Sequence, residues 1–289
     1  MSRSQTACAF DASSTTITRV KSTGHGSFTM TMCRTINGGL DDLGGPRGSR
    51  LAGKLLSALK EWRNEPIALS FSPAGLMTLP AWFPSGSSAE YCDSLCKIEA
   101  GYFLDEADKW QWHNMALEPG PDQPSGLDRR MLLFYPVKPA QFIENELLKH
   151  GNVGWRGVHV EAVARLSGVT GETLAVLELE EHYAALYIST NGKISYFQYW
   201  PVKDGSEREY FAVTELTSAP LNGAPVRVTG SAASAKVIER ISRETSRAIE
   251  PLELHPWVSA EKGANKGKSP TATIRAVSTA ILALNSAAN

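Results

Sequence analysis

The chain has 289 residues, with 29 Lys and Arg against 30 Asp and Glu, so its net charge is -1. That length fits one large domain of two lobes or two ordinary domains. The charge balance argues against a protein that grips nucleic acid through a concentrated basic surface, and no apolar run approaches the ~20 residues that span a bilayer.

The first segment, "ACAFDASSTTITRVKSTGHGSFTMTMCRTI", has β-branched and aromatic runs broken at "DASS" and at Gly24-His25-Gly26. It predicts three antiparallel strands at about 6–11, 15–21 and 27–35. The opening "MSRSQTACAF" lacks the apolar core of a secretory signal, so a reducing compartment is expected. Leu51, Leu55, Leu56 and Leu59 share one face of a helix in "RGSRLAGKLLSALKEW", and "PIALSFS" (66–72) follows as a strand.

A small α/β unit comes next: a helix at 88–101, a strand at 108–117, a Gly/Pro/Asp loop at 118–128, a strand at 130–136 and a helix at 139–150. Of the four cysteines Cys8, Cys33, Cys92 and Cys96, the last two stand one turn apart on the first of these helices. A zinc site would need two more ligands and only His113 is near, so buried thiols are expected.

The stretch "ETLAVLELEEHYAALYISTNGKISYFQYWPV" repeats the first pattern. A strand at 173–179 reverses at Glu180-Glu181, and a second at 183–189 leads to the hairpin signal Asn191-Gly192 and a third strand from Lys193 to Val202. "EREYFAVTELT" is a weaker helix, and "APVRVTG" (224–230) is a strand. A helix from Ser231 follows, with Val237, Ile238 and Ile241 inward, and "TATIRAVSTAILALN" closes the chain as an amphipathic helix. A mixed sheet flanked by helices, present twice, is an α/β architecture.

Two three-strand meanders, each opening on an acid-bearing reversal, resemble the actin-like (ribonuclease H-like) ATPase fold. More narrowly, the chain is similar to PilM-type proteins of type IV pilus assembly and to the cytoplasmic part of type II secretion L proteins. "AFDASSTTITRV" and "LAVLELEEHYAALYISTNGKISYFQYWPV" stand at the two phosphate turns, and "VRVTGSAASAKVIERI" at the adenosine-side strand, glycine and helix. "ALSFSPAGLMTLPAWFP", "CKIEAGYFLDEADKWQWHNMAL" and "MLLFYPVKPAQFIENELLKHGNVGWRGVHVEAVARL" match the stretches between. The resemblance implies a duplicated fold of two lobes, 1–150 and 151–289, with an inserted α/β subdomain at about 73–136.

The phosphate turns depart from that pattern. Backbone approaches a phosphate most closely where glycine stands, yet the first turn has Ala12 there and the second has Glu180 beside Glu181. Asp11, Ser13, Ser14 and Thr15 remain from the first turn, and Gly230 and Ser231 from the adenosine side. A carboxylate a few ångström from a phosphate costs on the order of kilocalories. These residues are therefore expected to be vestigial, no cofactor is assigned, and Glu178, Glu180 and Glu181 are expected to form a solvated reversal. His182, among them, has no second histidine near it in sequence.

"GSRLAGKL" (48–55) fits G-x-x-x-x-G-K but ends in Leu55 where Mg²⁺ needs a hydroxyl, so it is not a phosphate loop. Trp110, Trp112 and Asn114 share one face of a strand, read either as a half-buried strand or as an edge that takes a partner peptide. The segment "KGANKGKS" with Lys262, Lys266 and Lys268 reads as a solvated loop or a contact with acidic lipid.

The expected function is that of a non-catalytic, actin-like adaptor, cytoplasmic and peripheral to the inner membrane. Its partner would be the short cytoplasmic tail of a membrane-anchored pilus or secretion protein, with self-association as an accessory property. One alternative is a PilM-type protein that binds ATP and Mg²⁺ structurally through Asp11 and residues 13–15. Another is a sugar-kinase-like enzyme, for which Glu161 is the nearest acid to the place of a catalytic aspartate.

Overall fold

The computed structural model describes residues 3–24, 26–43, 47–62, 64–72, 74–120, 123–149, 152–254, 258–266 and 269–286. His25 of the first hairpin, Gly44 to Pro46 of the glycine-rich connection, Pro121 and Asp122 of the 118–128 loop, and Lys268 lie outside the described residues.

In chain order the first meander is β1 (Ser4–Phe10), β2 (Ser14–Gly24) and β3 (Ser27–Asn37), followed by helices α1 (Leu40–Leu43) and α2 (Gly48–Ala58) and strand β4 (Pro66–Phe71). Then come β5 (Met77–Pro84), α3 (Ala89–Phe103), β6 (Trp110–Ala116), β7 (Leu127–Pro136), α4 (Val137–Leu148), β8 (Asn152–Val158), α5 (His159–Ala164) and α6 (Ser167–Thr170). The second meander is β9 (Thr173–Leu179), β10 (Tyr183–Thr190) and β11 (Lys193–Pro201), followed by α7 (Gly205–Ser218), β12 (Val226–Thr229), α8 (Ala235–Thr245) and β13 (Ile249–Pro251). The short strands β14 (Val258–Ala260) and β15 (Asn265–Lys266) precede the last helix, α9 (Pro270–Ser286).

The duplication is visible in strand order. One sheet runs β14-β3-β2-β1-β4-β8, with β15 also on β3; the other runs β11-β10-β9-β12-β13. In both, the meander is antiparallel and its first strand pairs in parallel with the strand that follows the helices. Thus β9, β10, β11, β12 and β13 repeat β1, β2, β3, β4 and β8. A third sheet, β5-β7-β6, packs Leu132 and Phe134 of β7 against Cys92, Cys96 and Ala100 of α3.

By its contacts the chain divides into one unit of Met1–Pro73, Val137–Val169 and Glu253–Asn289 and another of Ala74–Pro136 and Thr170–Leu252. This division differs from the expected boundaries at 150 and 73–136. The cause in the first unit is α9, which returns to pack on β1, β2 and β4. In the second unit, Leu117 bridges Ile194 of β11, and Arg129 donates to the carbonyl of Ser195.

α9 is not amphipathic as expected: residues 272–284 are buried all round. Apart from Arg275, the polar residues of that run are Ser and Thr, small enough for close packing, and a helix that is apolar or small on nearly every side belongs inside. α8 begins later than expected, because Gly230 to Ala233 form a turn and Ser234 caps the helix by accepting from Val237 N. No helix among the described residues is long and apolar enough to cross a membrane.

Candidate functional site

Each meander's first reversal carries an acid, and the two reversals close identically. In the first unit Asp11 N donates to Ser14 O at 2.9 Å, and in the second Glu180 N donates to Tyr183 O at 2.9 Å. The last strand pairs before them are Phe10 with Thr15 and Leu179 with Ala184. Glu180 is therefore the counterpart of Asp11. Glu178 lies inside β9, fully buried, and accepts from the Tyr183 hydroxyl at 2.6 Å. The expectation of three solvated glutamates is corrected: Glu181 is exposed, Glu180 is half-buried and Glu178 is core.

Asp11 meets two cationic or donor groups. Arg275, 4 % exposed on α9, donates to Asp11 Oδ1, and His159 Nε2 lies 3.4 Å from the same oxygen. Burial pushes the Asp11 carboxyl up, but the Arg275 guanidinium and His159 overcome it and hold the group at about 2. His159 Nδ1 lies 2.9 Å from Ser70 Oγ, a hydrogen bond whose direction follows the tautomer of the ring. Thr279 Oγ1 lies 2.7 Å from both Ser70 Oγ and the carbonyl of Arg275, so α9 and β4 hold the network from two sides.

The rest of the first turn is consumed by backbone. Thr15 is buried and donates to the Gly38 carbonyl at 2.8 Å. Gly38, Leu40 and Asp41 amides donate to the carbonyls of Ser13, Asp11 and Ala12. A Cβ at Gly39 would stand 2.1 Å from Asp11 O, so the chain crosses the turn where only glycine fits. Ser13 is exposed and Ser14 half-buried.

In the second unit Gly230 closes on the reversal. Gly230 has φ +116, and a Cβ there would lie 2.0 Å from Leu179 O. Ser231 then donates its amide to Glu180 Oε1 at 3.1 Å and its hydroxyl to Glu180 Oε2. Arg208 of α7 donates to the Glu180 carbonyl at 3.0 Å. The amide that could meet a ligand anion is bound by the chain's own carboxylate.

Magnesium does not suit Asp11: a guanidinium already neutralises the carboxylate, and a divalent cation on that oxygen would meet it at short range. Among the described residues no group of three or more His, Cys, Asp or Glu side chains is arranged to hold a metal. Burial pushes the Cys96 thiol up to about 12, and Cys92 and Cys96 are core residues of α3. Residues 48–55, the phosphate-loop lookalike, are helical from Gly48. Glu161 is 7 % exposed and pairs with Arg165 at 3.3 Å.

Trp110 and Trp112 pack against the α3 core, and Trp112 Nε1 donates to Asp93 at 2.8 Å. Asn114, on the same face two residues on, is half-buried. Their strand, β6, is one of the two edges of its sheet. Sequence reasoning missed Arg275, His159, Ser70 and Thr279. The legible signal was Arg275 alone, a single charge in an otherwise small and apolar helix, since a buried arginine must find a partner.

No protein-family model matches the sequence, and no curated protein matches it either. Solved structures do resemble it. The "PilM-PilN type IV pilus biogenesis complex" superposes with a TM-score of 0.70 at 12% identity, over 97% of this chain and 98% of that one. The cytoplasmic domain of EpsL, an inner membrane component of the type II secretion system of Vibrio cholerae, gives 0.52 at 10% identity over 97% and 95%. A Bacteroides thetaiotaomicron protein with actin-like ATPase fold and unknown function gives 0.51 at 6% over 86% and 90%. The chain thus has the actin-like ATPase fold. Within that fold it is similar to PilM over nearly its whole length.

Proposed function

We propose that this chain is a non-hydrolysing actin-like adaptor. It acts at the cytoplasmic face of the inner membrane, where it binds the cytoplasmic tail of a membrane-anchored partner in type IV pilus or type II secretion assembly. The observation that carries the non-catalytic part is the engagement of Asp11 by Arg275, which puts a fixed side-chain cation where a nucleotide-bound one would be recruited. The Glu180–Ser231 contact supports it from the second unit. The likeness to the PilM–PilN complex and to the EpsL domain supports the assembly role. The edge strand β6 offers the partner tail a row of backbone groups, while Trp110 and Trp112 stiffen that strand from behind.

The test is a binding titration with synthetic peptides copying the cytoplasmic tails of single-span membrane proteins encoded beside this one. Micromolar binding of one such tail, weakened by a proline placed at Asn114, whose backbone alternates with the β7-bonded positions and faces the open edge, supports the reading. Failure of every tail to bind at millimolar concentration overturns the adaptor role.

A further inference from the structure

A groove in the first unit lies between the end of β3 and the outer face of α2. It has a volume of about 680 Å³ and is lined by Arg34, Thr35, Asn37, Arg50, Lys54 and Ser57, among others. A second hollow of about 470 Å³ shares Asn37, Arg50 and Lys54 and extends it toward Ser13. Arg34, Arg50 and Lys54 are all exposed, and no carboxylate among the described residues pairs with any of them. The acid at the far end, Asp42, is 3.7 Å from Arg47. In a chain of net charge -1, three unpaired cations along one groove are a local concentration with no counterpart in the overall balance.

We infer that this groove binds an extended acidic peptide segment, with carboxylates at alternate positions. The spacing of the cations selects that shape. Arg50 and Lys54 are four residues apart on α2, a rise of about 6 Å, and alternate side chains on one face of an extended chain are about 6.5–7 Å apart. Arg34 on β3 faces them across the groove. A compact phosphate would call for donors converging on one point, and these are strung along a helix. The groove includes no residue of β6, so it stands apart from the proposed tail site, and it reaches the first reversal only at Ser13.

Fluorescence anisotropy on the full chain with a labelled peptide alternating Glu and Ser tests the assignment, with the Gln-for-Glu peptide as control. The acidic peptide is expected to bind, to weaken as salt rises, and to lose about ten-fold or more in affinity in the Arg50→Glu, Lys54→Glu double variant. Both positions are exposed, and an unchanged melting curve establishes that the variant is folded. Equal binding of the Gln peptide, or no loss in the double variant, overturns the inference. Binding of inorganic triphosphate through Arg50 and Lys54 without peptide binding assigns the groove to a phosphate ligand and also overturns it. Retention of phosphatidylserine vesicles through these residues, again without peptide binding, assigns the groove to a lipid surface and overturns it too.

Discussion

Asp11 at the end of β1 and Arg275 on α9 stand 264 residues apart in sequence and share a hydrogen bond in the interior of the first unit. The pair joins the two ends of the chain. Removing either partner leaves a buried charge uncompensated. Asp11→Ala is expected to cost about 3–5 kcal/mol of stability, read by urea unfolding. Asp11→Ala combined with Arg275→Met should recover a large part of that loss, because the pair's value lies in mutual compensation.

The same pair sets an acid limit. The Asp11 carboxyl is held at about 2 in the folded chain, against about 3.9 in an unfolded one. A depressed folded pKa gives stability that is complete above the unfolded value and lost as pH falls toward the folded one. Between about pH 4 and pH 2, the wild type should therefore lose stability that the Asp11→Ala variant has already lost. Urea midpoints measured across that window should converge.

Glu178 and Tyr183 make a second buried contact, a hydroxyl donating to a carboxylate at 2.6 Å with both residues in the core of the second unit. Tyr183→Phe keeps the ring that stacks on Tyr199 at 5.4 Å and removes only the donor. The expected cost is about 1–3 kcal/mol, with no change in the slope of the urea transition. An effect below a few tenths of a kcal/mol would mean the carboxylate has ample other donors.

Gly230→Ala should be among the most damaging small substitutions in the chain. The added methyl would meet Leu179 backbone at 2.0 Å, and φ +116 is closed to alanine. A loss of more than about 2 kcal/mol is expected, and Ser231 should leave Glu180 as the turn shifts. Comparing Gly230→Ala with Gly223→Ala, where nothing lies within 4 Å, separates the backbone collision from the cost of a positive φ alone.

Much of the fold was legible because it is local. Asn191-Gly192 sits at positive φ on both residues and turns β10 into β11 where the dipeptide predicted it. The duplicated meander followed from alternation and turn chemistry. What escaped was of two kinds. β5 was hidden by Pro80 and Pro84, which an edge strand tolerates but a pattern search rejects. β8 was hidden by Gly154 and Gly157, which break its apolar run. The site was legible at Asp11 and Gly230 but not in its partners. Arg275 and His159 reach Asp11 only through tertiary packing, and no local rule ties residue 11 to residue 275. The match of Asp11 to Glu180 depended on hairpin register, which a count of residues cannot fix when strand ends and acid positions differ by two.

The central claim, that internal groups have replaced nucleotide at both reversals, is tested most directly by calorimetric titration of the purified chain with ATP and Mg²⁺. The account predicts no binding heat up to millimolar nucleotide and no phosphate release. Micromolar binding accompanied by hydrolysis, abolished in Asp11→Ala, would contradict it.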